Sequence, residues 1–252
     1  MLSKNDIVFQ DETILKMIYK NFSSLKENIV NTIFQLSNEI ARELGISRLN
    51  KIIIRDKILF DNKRGAMFFK TGDVELSYQT VMDLIREDDE ERYKRGLVTL
   101  RHELCHVLDC EQILCRIYSR LSDEGMSGYL IWTEFFATYS TFTIKEEDSL
   151  YDALESALKE RDNEKYYLSR VFGYYLSDGH SPKCDNTFNQ YFDQTNISNI
   201  SNRLERMLYI YPNIPMLYFA ELNKLFDNLL KRPKGFGEPI EDYISWIRNK
   251  QK

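Results

Sequence analysis

The sequence predicts an α+β protein, predominantly helical, with a small twisted sheet packed on one long helix and a helical carboxy-terminal part. Three observations lead there. Apolar residues recur every three or four positions across 24–44, short β-branched and aromatic runs crowd into 51–78, and nearly everything after residue 79 returns to helical spacing. With 43% hydrophobic and 13% aromatic residues in 252, the chain has material for a real core, which excludes a disordered class.

Residues 1–22 read as a polar lead-in followed by a short helix carrying Ile14, Leu15, Ile18 and Tyr19. Leu25, Ile29, Ile33, Leu36, Ile40 and Leu44 then mark an amphipathic helix that Gly45 stops. Segments 51–55 and 58–60 are strand-like, 61–65 is a turn, and 66–70 is a third short apolar run. After a turn at 71–73, Val74-Glu75-Leu76-Ser77-Tyr78 alternates apolar and polar, which predicts a half-exposed strand at or near a sheet edge. Such an edge is either a plain surface hairpin or a place to hold an extended peptide by β-augmentation. Residues 79–94 begin helical and pass through the charge run 86–92, a solvated helix face or loop.

The next helix, expected to start between Glu91 and Arg95 and to run past Cys110, contains His102-Glu103-Leu104-Cys105-His106. An α-helix turns about 100° per residue, so His102 and His106 lie about 40° apart on one face, where both imidazoles reach one metal ion. Glu103 sits beside that face, placed to take a proton from a metal-bound water rather than to join the ligands. With three histidines in the chain, a chance match is expected on the order of once in several hundred such sequences. The competing structural reading is two core histidines satisfied by hydrogen bonds, at a desolvation cost.

A catalytic zinc takes three protein ligands and keeps a fourth position for water. Gly125 and Gly128 break the helical pattern, and 129–145 then forms an almost wholly apolar helix interrupted by Glu134. Glu134, 134 − 106 = 28 residues beyond His106, is the choice for the third ligand, because a lone carboxylate in such a run needs a partner. The competing reading is Glu134 as the partner of some arginine or as a helix-surface residue. A metzincin pattern would need histidine at position 112, which is Gln112, and Cys110 lies too far round and along the helix to complete the same tetrahedron. His180 is open to three readings: a loop ligand, a surface histidine, or a catalytic donor to the oxyanion of peptide hydrolysis. Tyr139 and Tyr174 or Tyr175 are further candidates for that donor, and Asp109 could orient a histidine ligand.

Beyond residue 145, helices are expected at 149–158, 164–176, 187–192, 197–211, 217–230 and 240–248, with 231–239 the clearest loop. The 34 Lys and Arg against 39 Asp and Glu give a net charge of −5, which argues against a general nucleic-acid binder. No run reaches the roughly 20 apolar residues of a membrane span, and the amino terminus lacks the apolar core of a signal peptide, so a cytoplasmic location is expected. The four cysteines, Cys105, Cys110, Cys115 and Cys184, have no C-x-x-C spacing; the first three stand five residues apart, which points them in different directions on an α-helix, and free thiols in a reducing compartment are expected.

These residues resemble the gluzincin metallopeptidases, and the order of backing helix, short strands, His-Glu-x-x-His helix and glutamate helix is similar to the minimal core of the ImmA/IrrE-type intracellular peptidases. The resemblance covers residues 1–145 and implies a zincin-like catalytic core with His102, His106 and Glu134 on zinc, Glu103 as general base and general acid, and the strand at 74–78 aligning a protein or peptide substrate. Residues 146–252 are expected to form a helical subdomain, possible as one wall of the cleft, in which no helix-turn-helix module is legible. The alternative is a gluzincin-like protein that binds without catalysis, using its Tyr-rich helical half as an interaction surface.

Overall fold

The computed structural model describes residues 1–10, 23–56, 64–86, 88–141, 164–177 and 192–230, which form two compact units, Met1–Arg116 and Ile117–Lys252. The architecture is α+β and mostly helical, with one four-stranded sheet. The helices expected at 14–19, 149–158 and 240–248, the strand at 58–60 and the loop at 231–239 lie outside the described residues, as does nearly all of the segment at 187–192.

In the first unit, strand β1 (Ile7–Phe9) leads to helix α1 (Ser23–Leu44), then β2 (Ile52–Arg55), β3 (Gly65–Phe68) and β4 (Asp73–Ser77). The sheet order is β1-β2-β4-β3, with β1 and β4 each parallel to β2 and β3 antiparallel to β4. Helix α1 ends as its periodicity predicts. Gly45 adopts φ +73°, and the Gly45 and Ile46 amides donate back to the Arg42 and Ala41 carbonyls, closing a Schellman turn that a side-chain-bearing residue would strain. One face of α1, through Ile29, Ile33 and Ile40, joins Ile52 and Ile54 of β2 and Val74 and Leu76 of β4 in a single core. Each such side chain contributes roughly 1.5–3 kcal/mol by leaving water.

The expected half-exposed edge at 74–78 is corrected: β4 lies between β2 and β3, and its last four residues are buried. Its alternation arises from a buried ion pair. Glu75 is 1% exposed and its Oε1 lies 2.7 Å from Arg55 Nε on β2, so the polar face of β4 is satisfied inside the protein rather than by water. The edges among the described strands are β1, a three-residue strand, and β3.

Ser77 ends β4 and caps the next helix, α2 (Tyr78–Leu84), by accepting from the Thr80 amide at 3.1 Å. The charge run resolves into a helix start: Asp89 caps α3 (Glu90–Asp109), Glu90 and Glu91 occupy its positive first turn, and they pair with Lys94 and Arg95 one turn on. Leu100, Leu104 and Val107 of α3 enter the core already built by α1, the sheet and α2. Arg101 forks onto Glu43 of α1 with bonds of 2.9 and 2.7 Å, and that contact holds the Glu43 carboxyl below its usual range.

Past Asp109 the helix widens into a π turn, Cys110–Leu114, in which the Cys115 amide donates to the Cys110 carbonyl. The widened turn corrects the expectation for the cysteines. The i to i+5 hydrogen bond of the π turn brings Cys110 and Cys115 to the same side of the helix, and their sulfurs approach to 3.9 Å. Glu111 of the same turn accepts from the Ser47 and Arg48 amides at 2.9 and 3.1 Å and from the Ser47 hydroxyl, anchoring the segment that follows α1.

The second unit holds α4 (Asp123–Thr141), α5 (Glu164–Ser177), α6 (Gln194–Ile210) and α7 (Met216–Leu230). Ser122 caps α4 by accepting from the Gly125 amide at 3.1 Å. Gly125 and Gly128 therefore lie inside this helix instead of breaking the pattern ahead of it. Gly128 is there because the α7 backbone crosses it: a Cβ would stand 1.7 Å from the Phe219 carbonyl oxygen. Buried Ile197, Ile200, Leu204 and Met207 on α6, and Phe219, Leu222, Phe226 and Leu229 on α7, repeat the 3-4-3 spacing of amphipathic helices. No helix among the described residues is long and apolar enough to cross a membrane.

Candidate metal centre

His102 and His106 stand one turn apart on α3, His102 half-buried and His106 only 7% exposed. Their Nε2 atoms are 3.2 Å apart and their rings meet at 86°. Two imidazole nitrogens at this distance cannot both present bare lone pairs; a proton or a cation must lie between them. Zinc–nitrogen bonds of about 2.0–2.1 Å in a tetrahedron set a nitrogen–nitrogen edge of about 3.3 Å, which the observed separation matches.

The third expected ligand, Glu134, is 2% exposed on α4, within the apolar stretch that made it conspicuous. One donor atom from each of His102, His106 and Glu134 falls within 4.8 Å of the others, and this is the one such group among the described residues. Two imidazoles and a carboxylate are a donor set able to hold a divalent metal ion, zinc among them, so the residues present fit such an ion.

Glu134 also has a protein partner. Arg170 Nε of α5 lies 3.5 Å from Glu134 Oε1, and another Arg170 nitrogen lies 3.5 Å from the Tyr174 hydroxyl. Burial opposes the Arg170 charge, but Tyr174, Tyr166 and Glu134 outweigh it and hold the guanidinium above its ordinary range. The guanidinium thus faces one Glu134 carboxylate oxygen at ion-pair distance inside the unit. No feature of the sequence singled out Arg170 from the other 33 basic residues.

Glu103 is buried at 7% exposure on the flank of α3, against the edge strand β3. Gly65 makes that position possible: a Cβ there would stand 2.6 Å from Glu103 Cγ and 2.7 Å from its Oε1. The sequence offered Gly65 only as a turn glycine, and its second task depends on a residue 103 − 65 = 38 positions away. Cys105, between the histidines, is fully buried, and that burial pushes its thiol up to about 12, so it behaves as a small apolar side chain.

The remaining candidates are placed as follows. Asp109 is wholly buried at the end of α3. Tyr139 is 37% exposed and stacks on Phe135 at 5.8 Å, about 140° round α4 from Glu134. Tyr174 reaches Arg170, and Tyr175 is packed in the core of its unit. His180 lies outside the described residues. No family model matches the chain, and no curated protein or solved structure does so significantly.

Proposed function

We propose that this chain is a zinc-dependent peptide hydrolase with a zincin-like core of the gluzincin type. The observation that carries the reading is the convergence of His102, His106 and Glu134 donor atoms within 4.8 Å, with buried Glu103 on the next position of the same helix. A zinc ion held by those three residues supplies a water more acidic than bulk water and a Lewis acid for a peptide carbonyl. Glu103 then has two tasks: it accepts the proton of the attacking water and delivers it to the leaving amine. Arg170 orients Glu134 from 3.5 Å, and Gly65 leaves the space that the Glu103 side chain occupies. Among the described strands β3, rather than β4, is the edge along which an extended peptide would pair.

A second reading is favoured by one observation, the Arg170–Glu134 contact at 3.5 Å. On that reading Glu134 is a structural ion-pair partner and the protein acts by binding alone. Metal content and turnover separate the two. Wild type should purify with one equivalent of zinc, Glu134→Gln should lose it, and Glu103→Gln should keep it while hydrolysis of a fluorogenic peptide library falls by about 10²–10⁴. Metal-free wild type that cannot be loaded with zinc would sink the hydrolase reading.

A further inference from the structure

The π turn after α3 brings together two thiols that the metal centre does not use. Cys110 is 4% exposed and its sulfur lies 3.6 Å from the Phe69 carbonyl, while Cys115 is exposed and its sulfur lies 3.9 Å from that of Cys110. The juxtaposition follows from the hydrogen bond of the Cys115 amide to the Cys110 carbonyl; on a regular α-helix the two side chains would diverge by about 140°. A disulfide requires sulfurs about 2 Å apart, so bond formation needs an approach of about 2 Å, within the reach of side-chain rotation. The two sites differ in access as a disulfide-exchange pair requires, one thiol open to solvent and one shielded beside it. Cys105, buried at 0%, is a control within the same helix.

We propose that Cys110 and Cys115 are a reversible oxidation site that closes to an intrachain disulfide by exchange with small disulfides. The exposed Cys115 thiolate attacks one sulfur of a disulfide RSSR, forming Cys115–S–S–R and releasing RS⁻, which takes up the Cys115 proton from water. The Cys110 sulfur then attacks the Cys115 sulfur, its proton passes to the departing RS⁻, and a second RSH leaves. Two protein thiols are oxidised, one RSSR is reduced to two RSH, and atoms and electrons balance. Burial and the adjacent Cys115 push the Cys110 thiol up to about 12, consistent with Cys115 being the sulfur that meets the oxidant. Closure removes the Cys110 hydrogen that faces the Phe69 carbonyl and ties the two ends of the π turn together.

The test uses the full chain in buffers of graded oxidised and reduced glutathione, quenched with iodoacetamide, cleaved after Glu111 and read by mass spectrometry. The expected product is a Cys110–Cys115 cross-link that dithiothreitol reverses, with Cys105 alkylated only after denaturation. Cys110→Ser should instead accumulate a glutathione mixed disulfide on Cys115, at least tenfold over wild type. A mixed disulfide persisting on wild-type Cys115, pairing of Cys115 with Cys184, or two alkylated thiols in fully oxidising buffer would each overturn the proposal. None of these readouts depends on zinc or on hydrolysis, so the outcome is independent of the proposed function.

Discussion

Glu103 owes its position to an absent side chain. Its carboxylate lies over Gly65, where any Cβ would approach within 2.6–2.7 Å of Glu103 Cγ and Oε1. The atoms in the way belong to the free end of a flexible side chain, so Gly65→Ala should move Glu103 rather than unfold the strand. On the proposed hydrolase reading Glu103 is the general base, which must stay within about 2.6–3.2 Å of the proton it takes, and a shift of an ångström takes it out of reach. The expected outcome for Gly65→Ala is unchanged zinc content, a stability loss of about 1–3 kcal/mol from overpacking, and a turnover number reduced at least tenfold. Turnover at the wild-type rate in this variant would show that Glu103 is not the base.

At the scale of elements, the ends and crossings of helices matter most. Glu111 fixes the π turn to the Ser47–Arg48 segment; burial raises its carboxyl, but the hydrogen bonds from Ser47 and Arg48 outweigh burial and hold it below the ordinary 4.5. A depressed carboxyl contributes stability that is present above the unfolded value and lost as pH falls through the folded one. Glu111→Gln should therefore cost on the order of 1 kcal/mol near neutrality, discounted for its partial exposure, and the gap to wild type in urea unfolding should close below about pH 4.5. Gly128 and Gly125 make a matched pair on α4. Gly128→Ala drives a methyl into the Phe219 backbone and should cost about 3 kcal/mol or more, beyond the roughly 1 kcal/mol that alanine returns in helix propensity. Gly125→Ala meets the Leu121 Cδ2 tip at 3.0 Å and the capping Ser122 Oγ at 3.3 Å, both side-chain ends that can give by a few tenths of an ångström, and should be neutral or stabilising in the same urea titration. The sequence disclosed what is local: the 3-4 spacing of α1, the one-turn spacing of His102 and His106, and Glu134 as an isolated charge in an apolar helix. It concealed what depends on distant partners. Glu75 looked solvent-facing because Arg55 belongs to another strand, Gly128 looked like a break because α7 lies 219 − 128 = 91 residues on, and Ile7 to Phe9 is too short a run to announce a strand. The cysteines were misjudged because a π turn changes the period on which their phase was reckoned.

For the molecule as a whole, the proposed metal centre would make metal binding and folding stability one equilibrium. A ligand that binds the folded chain alone raises its stability by RT ln(1 + [L]/Kd), about 2.7 kcal/mol at a free concentration of one hundred times Kd. Residual binding of zinc by unfolded histidines and cysteines reduces that gain without reversing it. Thermal unfolding of wild type should therefore shift upward with added zinc and return on chelation, and Glu103→Gln should shift by the same amount, since it removes no ligand. Glu134→Gln separates the two roles available to that residue. If Glu134 is a ligand, the variant loses most of the zinc-dependent shift, while its metal-free Tm changes only by what the contact with Arg170 is worth. If Glu134 serves Arg170 alone, the metal-free Tm falls, wild type shows no zinc-dependent shift, and the pairing of two histidines at 3.2 Å is left to a shared proton. Whether one measured difference, the zinc-dependent Tm shift of wild type minus that of Glu134→Gln, is positive or zero thus decides whether the most buried carboxylate of α4 belongs to a metal centre.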